Sequence, residues 1–267
     1  MTSRVPAQVK ECLDRARRLW FFLDYDGTLA DLAPTPDHVH PDPEVVELLG
    51  GLVQVPHVRV AVISGRRLGH VETLVPVPGV LLAGTYGIEL QTPAGERINR
   101  LAYDVIRPAL DILKPRWSEM VAGRHGFFVE DKGWALALHA RFAEDDEADA
   151  VLSAARREAT DVISQEVFCL LGGHKFLEVA PKLAHKGRTV AYLLDRYAWP
   201  GAVPVYLGDD DKDEAAFDVI QGRGGIAGLV AREPRDVGAD FWLESPQAVR
   251  RWLRRVLERV AMRGRSN

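Results

Sequence analysis

Leu19-Trp20-Phe21-Phe22-Leu23-Asp24-Tyr25-Asp26-Gly27-Thr28 is an apolar run that ends abruptly in an acidic, glycine-bearing turn. A run without alternating polar positions suits a strand buried on both faces. Three further stretches repeat the pattern. Val58 to Ile63 leads into Ser64-Gly65-Arg66, Val80 to Ala83 into Gly84-Thr85-Tyr86-Gly87, and Val203 to Leu207 into Gly208-Asp209-Asp210. Helical spacing lies between them. Val45, Val46, Leu48, Leu49 and Leu52 follow the first run, and Val190, Leu193, Leu194 and Tyr197 precede the last. Strands buried on both faces and separated by helices predict an α/β fold with a doubly wound parallel sheet.

At the C-terminal end, Ser245-Pro246 reads as an N-cap followed by a first-turn proline. Val249, Trp252, Leu253, Val256, Leu257 and Val260 then form one helix face. Arg250, Arg251, Arg254 and Arg255 are expected on the opposite, solvated face.

The middle of the chain breaks the alternation. From Pro108 to Lys182 the expected order is helix (Ala109 to Val121), hairpin (Phe127 to His139), helix (Asp146 to Ile163) and hairpin (Glu166 to Val179). That order describes a small α+β unit inserted into the core. The expected division is a core over residues 1–107 and 183–267 with an α+β cap over 108–182.

The length of 267 residues fits one large domain carrying such an insertion. With 34 basic and 38 acidic residues the net charge is −4, so the electrostatic footprint of a nucleic-acid or anionic-membrane binder is missing. Cys12 and Cys169 form no C-x-x-C, and reduced, buried thiols are expected. The first twenty residues lack an apolar signal core, and no stretch approaches the ~18 apolar residues of a membrane span. A cytoplasmic monomer without nucleic-acid or membrane partners is the expectation.

In an open parallel sheet, ligands bind beyond the carboxyl ends of the strands. Asp24 and Asp26 stand beyond the first strand, Ser64 beyond the second, and Asp209 and Asp210 beyond the last; Lys186 opens the helix before that last strand. Asp24 and Asp26, two residues apart, would repel each other if left alone. A divalent cation relieves this, and Asp209 offers a third hard oxygen, a set that suits Mg²⁺ together with a substrate phosphate. Asp24 is then the candidate nucleophile towards phosphorus, and Asp26 the candidate acid and base. Ser64 and Lys186 are placed to hold phosphoryl oxygens. Neither acidic segment satisfies an EF-hand loop, and Gly222 to Ala227 follows a helix where a dinucleotide loop would follow a strand.

Taken together, Asp24-Tyr25-Asp26-Gly27-Thr28-Leu29, Ile63-Ser64-Gly65-Arg66, Lys186-Gly187 and Gly208-Asp209-Asp210-Asp211-Lys212-Asp213-Glu214 resemble the four ordered motifs of haloacid-dehalogenase-type phosphatases. The resemblance implies a Rossmann-like core and an aspartyl-phosphate on Asp24. It also implies a metal held by Asp24, the Asp26 backbone carbonyl and Asp209, with Asp210 and Asp213 in support. It adds Thr28 and Gly65 to the candidate phosphate-binding residues.

Within that family the chain looks most like the trehalose-6-phosphate phosphatases. Val129-Glu130-Asp131-Lys132-Gly133, Ala137-Leu138-His139-Ala140-Arg141 and Glu178-Val179-Ala180-Pro181 carry this likeness. It implies that Glu130, Lys132 and Glu178, with Arg66, contact the sugar, and that the cap opens and closes during turnover. The competing reading of Glu130 and Lys132 is an exposed ion pair in a hairpin turn. Tyr86 stands where these enzymes more often carry histidine, and Ala140 replaces a common aromatic residue. A phosphatase for sucrose 6-phosphate, glucosylglycerol phosphate or mannosylglycerate phosphate therefore stays open, as does a sugar phosphomutase. A sugar-phosphate sensor without turnover would be favoured by the loss of Asp26, which is present.

Overall fold

The computed structural model describes residues 5–32 and 40–263. The chain divides into two compact units, Met1–Ile98 with His185–Asn267, and Asn99–Ala184. In chain order the core opens with α1 (Ala7–Arg15), β1 (Arg18–Asp24), α2 (Pro43–Val53), β2 (Val58–Ile63), α3 (Leu68–Leu74), β3 (Leu81–Gly84), β4 (Glu89–Gln91) and β5 (Arg97–Asn99). The insertion contributes α4 (Tyr103–Met120), β6 (Phe128–Asp131), β7 (Leu136–His139), α5 (Asp145–Val162), β8 (Phe168–Gly173) and β9 (Phe176–Pro181). The core then resumes with α6 (Lys186–Arg196), β10 (Ala202–Gly208), α7 (Asp211–Gly222), β11 (Ile226–Val230), β12 (Phe241–Leu243) and α8 (Pro246–Arg263).

The core sheet has the order β12-β11-β10-β1-β2-β3-β4-β5, parallel from β12 to β3 and antiparallel between β3 and β4. β1 lies at its centre because its side chains are apolar in both directions. Leu19, Phe21 and Leu23 enter one hydrophobic core with Val60, Val62, Val205 and Leu207; Trp20 and Phe22 enter a second with Ala61, Ile63 and Tyr206. Helices cover both faces, as a fully buried parallel sheet requires.

Local signals set the helix ends. Asp42 caps α2, accepting from the Glu44 N–H at 2.8 Å, with Pro43 in the first turn. Ser245 Oγ caps α8 by accepting from the Ala248 N–H at 3.2 Å. The expected solvated arginine face of α8 needs one correction. Arg250 is only 8 % exposed; its Nε donates to Glu44 Oε2 (2.8 Å) and its Nη1 to the Leu29 carbonyl (2.7 Å). Arg251, Arg254 and Arg255 are exposed.

The inserted unit is a four-stranded antiparallel sheet, β6-β7-β9-β8, with α4 and α5. Its first helix begins at Tyr103, so Pro108, the expected border, lies inside it. Ile106, Leu110, Leu113 and Trp117 are all buried at helical spacing. Burial of Ile106 extends the apolar face ahead of the proline and offsets the hydrogen bond that Pro108 gives up. Neither cysteine forms a disulfide, and both are half-buried where full burial was expected, because each sits on an element with one solvent-facing side. Among the described residues no helix is long and apolar enough to cross a membrane.

Candidate active site

The site grows out of strand register. β1 pairs with β2 through Asp24↔Ile63 and with β10 through Leu23↔Leu207, so the residues just past these strands are neighbours. Asp24, the last residue of β1, is buried and accepts from Lys186 Nζ at 2.8 Å. Lys186 also donates to Asp213 Oδ1 at 2.6 Å and lies 3.7 Å from Asp210. The ammonium therefore sits among three carboxylates. Burial alone would lower its pKa, but Asp24 and Asp213 hold it well above the ordinary lysine value.

Asp213 is wholly buried, and all of its accepting capacity is taken up within the fold. Oδ1 accepts from Lys186 and from the Tyr206 hydroxyl (2.5 Å), and Oδ2 from the N–H groups of Asp209 and Asp210 (3.1 Å each). It fixes the acidic turn at the start of α7, where Asp210 supplies the N-cap by accepting from the Lys212 N–H at 2.9 Å. Gly208 makes room for this, since a Cβ there would meet Asp213 Cγ at 2.2 Å.

Carboxylate oxygens of Asp24, Asp209 and Asp213 lie within 4.8 Å of one another. With Asp213 saturated, Asp24 and Asp209 are the members of this cluster, among the described residues, that keep oxygens open to an ion. Burial pushes the Asp24 carboxyl well up, with Asp213 and Asp209 adding to the rise and Lys186 opposing it. Burial, then the charges of Asp213 and Asp210, raise Asp209 to about 7. Crowded, under-compensated hard oxygens fit a divalent cation. Gly27 permits the crowding: its φ is +80°, and a Cβ there would meet Asp209 Oδ2 at 2.1 Å.

The turn after β2 lies alongside. Ser64 is buried; its Oγ accepts from the Arg66 N–H at 3.1 Å, and its carbonyl accepts from the Tyr86 N–H at 2.8 Å. A Cβ on Gly65 would come within 2.7 Å of the Tyr86 ring, so any larger residue there would displace that ring. Thr85 and Tyr86 both adopt the left-handed region, at φ 47° and 53°. Tyr86 OH accepts from Lys212 Nζ at 2.8 Å, which ties the turn after β3 to α7. Thr28 is wholly buried, with its hydroxyl unpaired among the described residues. Arg66, a candidate sugar contact, forms a two-point ion pair with Asp26, at 2.7 Å on each oxygen.

On the inserted unit, register sets out two rows across β6, β7 and β9. Glu130, Ala137 and Glu178 form one; Phe128, His139 and Phe176 form the next. Lys132, just past β6, donates to Glu178 Oε2 at 3.0 Å and lies 4.0 Å from Glu130 Oε2. Lys132 is 9 % exposed and Glu178 0 %, so the exposed-turn reading does not hold. Glu178 Oε1 is buried without a hydrogen-bond partner among the described residues. His139, which lies in the Ala137 to Arg141 stretch but has no role implied there, joins the group: its Nε2 is 2.9 Å from Glu130 Oε2, and its ring stacks on Phe128 at 4.2 Å. Strand alternation, which places 128, 130, 137 and 139 on one face, was the available signal.

Comparison with known proteins agrees with this chemistry. A family model described as trehalose-phosphatase matches residues 22–245. A relative called probable trehalose-phosphate phosphatase D, from Arabidopsis thaliana, is 28 % identical over 94 % of this chain and 71 % of its own length. Trehalose-phosphate phosphatase of Mycobacterium tuberculosis is 34 % identical over 88 % of this chain, which spans 60 % of that protein. Among solved structures, the C-terminal domain of trehalose-6-phosphate phosphatase from C. albicans superposes with a TM-score of 0.77 at 22 % identity, covering 97 % of this chain and 99 % of that one.

Proposed function

The chain belongs to the trehalose-phosphatase family, and from that premise we propose that it hydrolyses trehalose 6-phosphate to trehalose and phosphate, with Asp24 as nucleophile. The observation that carries this reading is the buried Asp24 carboxylate at a strand end, 2.8 Å from Lys186 and crowded by Asp209. A lysine holds the carboxylate in place, while the second carboxylate leaves room for a cation.

Asp24, Asp209 and the Asp26 backbone carbonyl are the groups proposed to hold Mg²⁺. When bound, the ion offsets the negative charge that would otherwise keep a carboxylate away from a phosphate dianion. Asp24 attacks phosphorus, the bond to the sugar oxygen breaks, and Asp26 delivers a proton to that oxygen. Asp26 next takes a proton from water, the water attacks phosphorus, and Asp24 is released as a carboxylate. Lys186, Ser64, Thr28 and the Gly65 main chain hold the phosphoryl oxygens, whose charge persists throughout. Asp210 and Asp213 keep the acidic turn in place.

Glu130, Lys132 and Glu178 are proposed to grip the sugar. Charged donors and acceptors make strong hydrogen bonds to hydroxyls, and the unpartnered Glu178 Oε1 supports this reading. The test is phosphate release from trehalose 6-phosphate with and without Mg²⁺, with Asp24→Asn as blank. Metal-dependent release that vanishes in the variant is expected. Release that persists in Asp24→Asn overturns the nucleophile.

A further inference from the structure

Arg66 carries an inference that rests on the reading of Asp26 as proton carrier. Its Nε is 2.7 Å from Asp26 Oδ2 and its Nη2 is 2.7 Å from Oδ1. Such a fork fixes the plane of a carboxylate as well as its position, whereas a single contact leaves it free to rotate. The arginine is itself held. Its N–H donates to Ser64 Oγ at 3.1 Å, its carbonyl accepts from the Thr85 N–H at 2.7 Å, and its Nη1 lies 3.3 Å from His70 Nδ1. The pair is largely enclosed, with side chains 12 % and 25 % exposed. Adjacent parallel strands bring the partners together: Asp24↔Ile63 register sets Asp26 beside the turn that carries Arg66.

We propose that Arg66 is a positioning residue for Asp26, fixing the orientation from which that carboxyl group passes protons to and from the reacting oxygens. A carboxylate oxygen has two lone pairs, so the fork occupies one on each and leaves the other for a proton. General acid catalysis contributes about 10²- to 10⁴-fold and depends on orientation, which gives Arg66 a signature of its own. A leaving group stable as an anion needs no proton, whereas a basic one does. Loss of Arg66 therefore makes the reaction more sensitive to leaving-group basicity. Removal of a sugar contact, or of a phosphate contact, has no such effect.

The test compares kcat/KM for p-nitrophenyl phosphate, phenyl phosphate and trehalose 6-phosphate with Mg²⁺. The proteins are the wild type, Arg66→Ala, Arg66→Lys, Asp26→Asn and the Arg66→Ala/Asp26→Asn double variant. kcat/KM covers only steps up to the first irreversible bond cleavage, so the later water step does not intrude. Arg66→Ala is expected to lose at least ~10-fold more on phenyl phosphate than on p-nitrophenyl phosphate. Asp26→Asn should tilt the series the same way, and the double variant should fall no lower than Asp26→Asn alone. Arg66→Lys keeps the charge and should recover part of the loss, which guards against Arg66→Ala failing to fold. Equal losses on both aryl phosphates, or a loss confined to trehalose 6-phosphate, overturn the proposal. A wild type that releases phosphate from none of the three overturns the proposed function itself.

Discussion

Lys186 and Asp24 stand 162 residues apart in the chain and 2.8 Å apart in the fold, both buried. The lysine is the common neighbour of Asp24, Asp213 and Asp210. Its removal strands buried negative charge, which typically costs about 3–5 kcal/mol. Lys186→Met is therefore expected to lower unfolding free energy by about that much in urea at pH 8 without metal. The deficit should shrink at lower pH, as Asp24 takes up a proton. A change below ~1 kcal/mol would show that the carboxylates do not depend on this lysine.

Arg107 ties α4 to the hairpin of the inserted unit through Asp131, at 2.8 and 2.7 Å. Hydrogen bonds from Arg107 hold the Asp131 carboxyl well below the ordinary carboxylate range, against partial burial. Stability from a depressed carboxyl is complete above the unfolded value near 4 and is lost as pH falls through the folded value. Asp131→Asn should cost about 1–2 kcal/mol at pH 7, allowing for partial screening. The gap to wild type should narrow between pH 4 and pH 2 in urea titrations. A pH-independent gap would mean that the charge of Asp131 contributes nothing.

Lys132 tests the sugar grip. Lys132→Ala leaves Glu178 buried without its 3.0 Å partner, and it should lower kcat/KM for trehalose 6-phosphate by about 10²-fold or more, in the range set by losing a charged hydrogen bond. The loss on p-nitrophenyl phosphate, which has no sugar hydroxyls, should be far smaller. Equal losses would remove these residues from substrate recognition.

Gly27 tests the metal centre sterically. An Ala Cβ at φ +80° would collide with Asp209 Oδ2. Gly27→Ala should displace that carboxylate and weaken the thermal stabilisation by Mg²⁺, besides about 1 kcal/mol of backbone strain. A Mg²⁺-induced shift in Tm equal to that of wild type would show that Asp209 is not a ligand.

The core strands were legible because their residues are apolar on both faces, a pattern that suits parallel strands buried between helices. Parallel topology alone then brings Asp24, Ser64 and Asp209 to one edge of the sheet. The cap of α8 was legible in Ser245-Pro246 for an equally local reason. The rest depended on relations that no local pattern encodes. Pro108 reads as punctuation until Ile106 is seen to be buried. Arg250 looks solvated until Glu44 and Leu29 surround it. The pairing of Arg66 with Asp26 spans forty residues, and that of His139 with Glu130 depends on hairpin register. Side-chain partners chosen across the fold were what the sequence left open.

The most direct single measurement is phosphate release with Mg²⁺ across trehalose 6-phosphate, sucrose 6-phosphate, glucose 6-phosphate, mannose phosphates and glucosylglycerol phosphate. The account predicts a kcat/KM for trehalose 6-phosphate at least ~10²-fold above every other member, the discrimination expected when a pocket of charged groups recognises sugar hydroxyls. Preference for another sugar phosphate, or uniformly weak turnover of all of them, would contradict it and point to Tyr86 and the inserted unit as the origin of a different specificity.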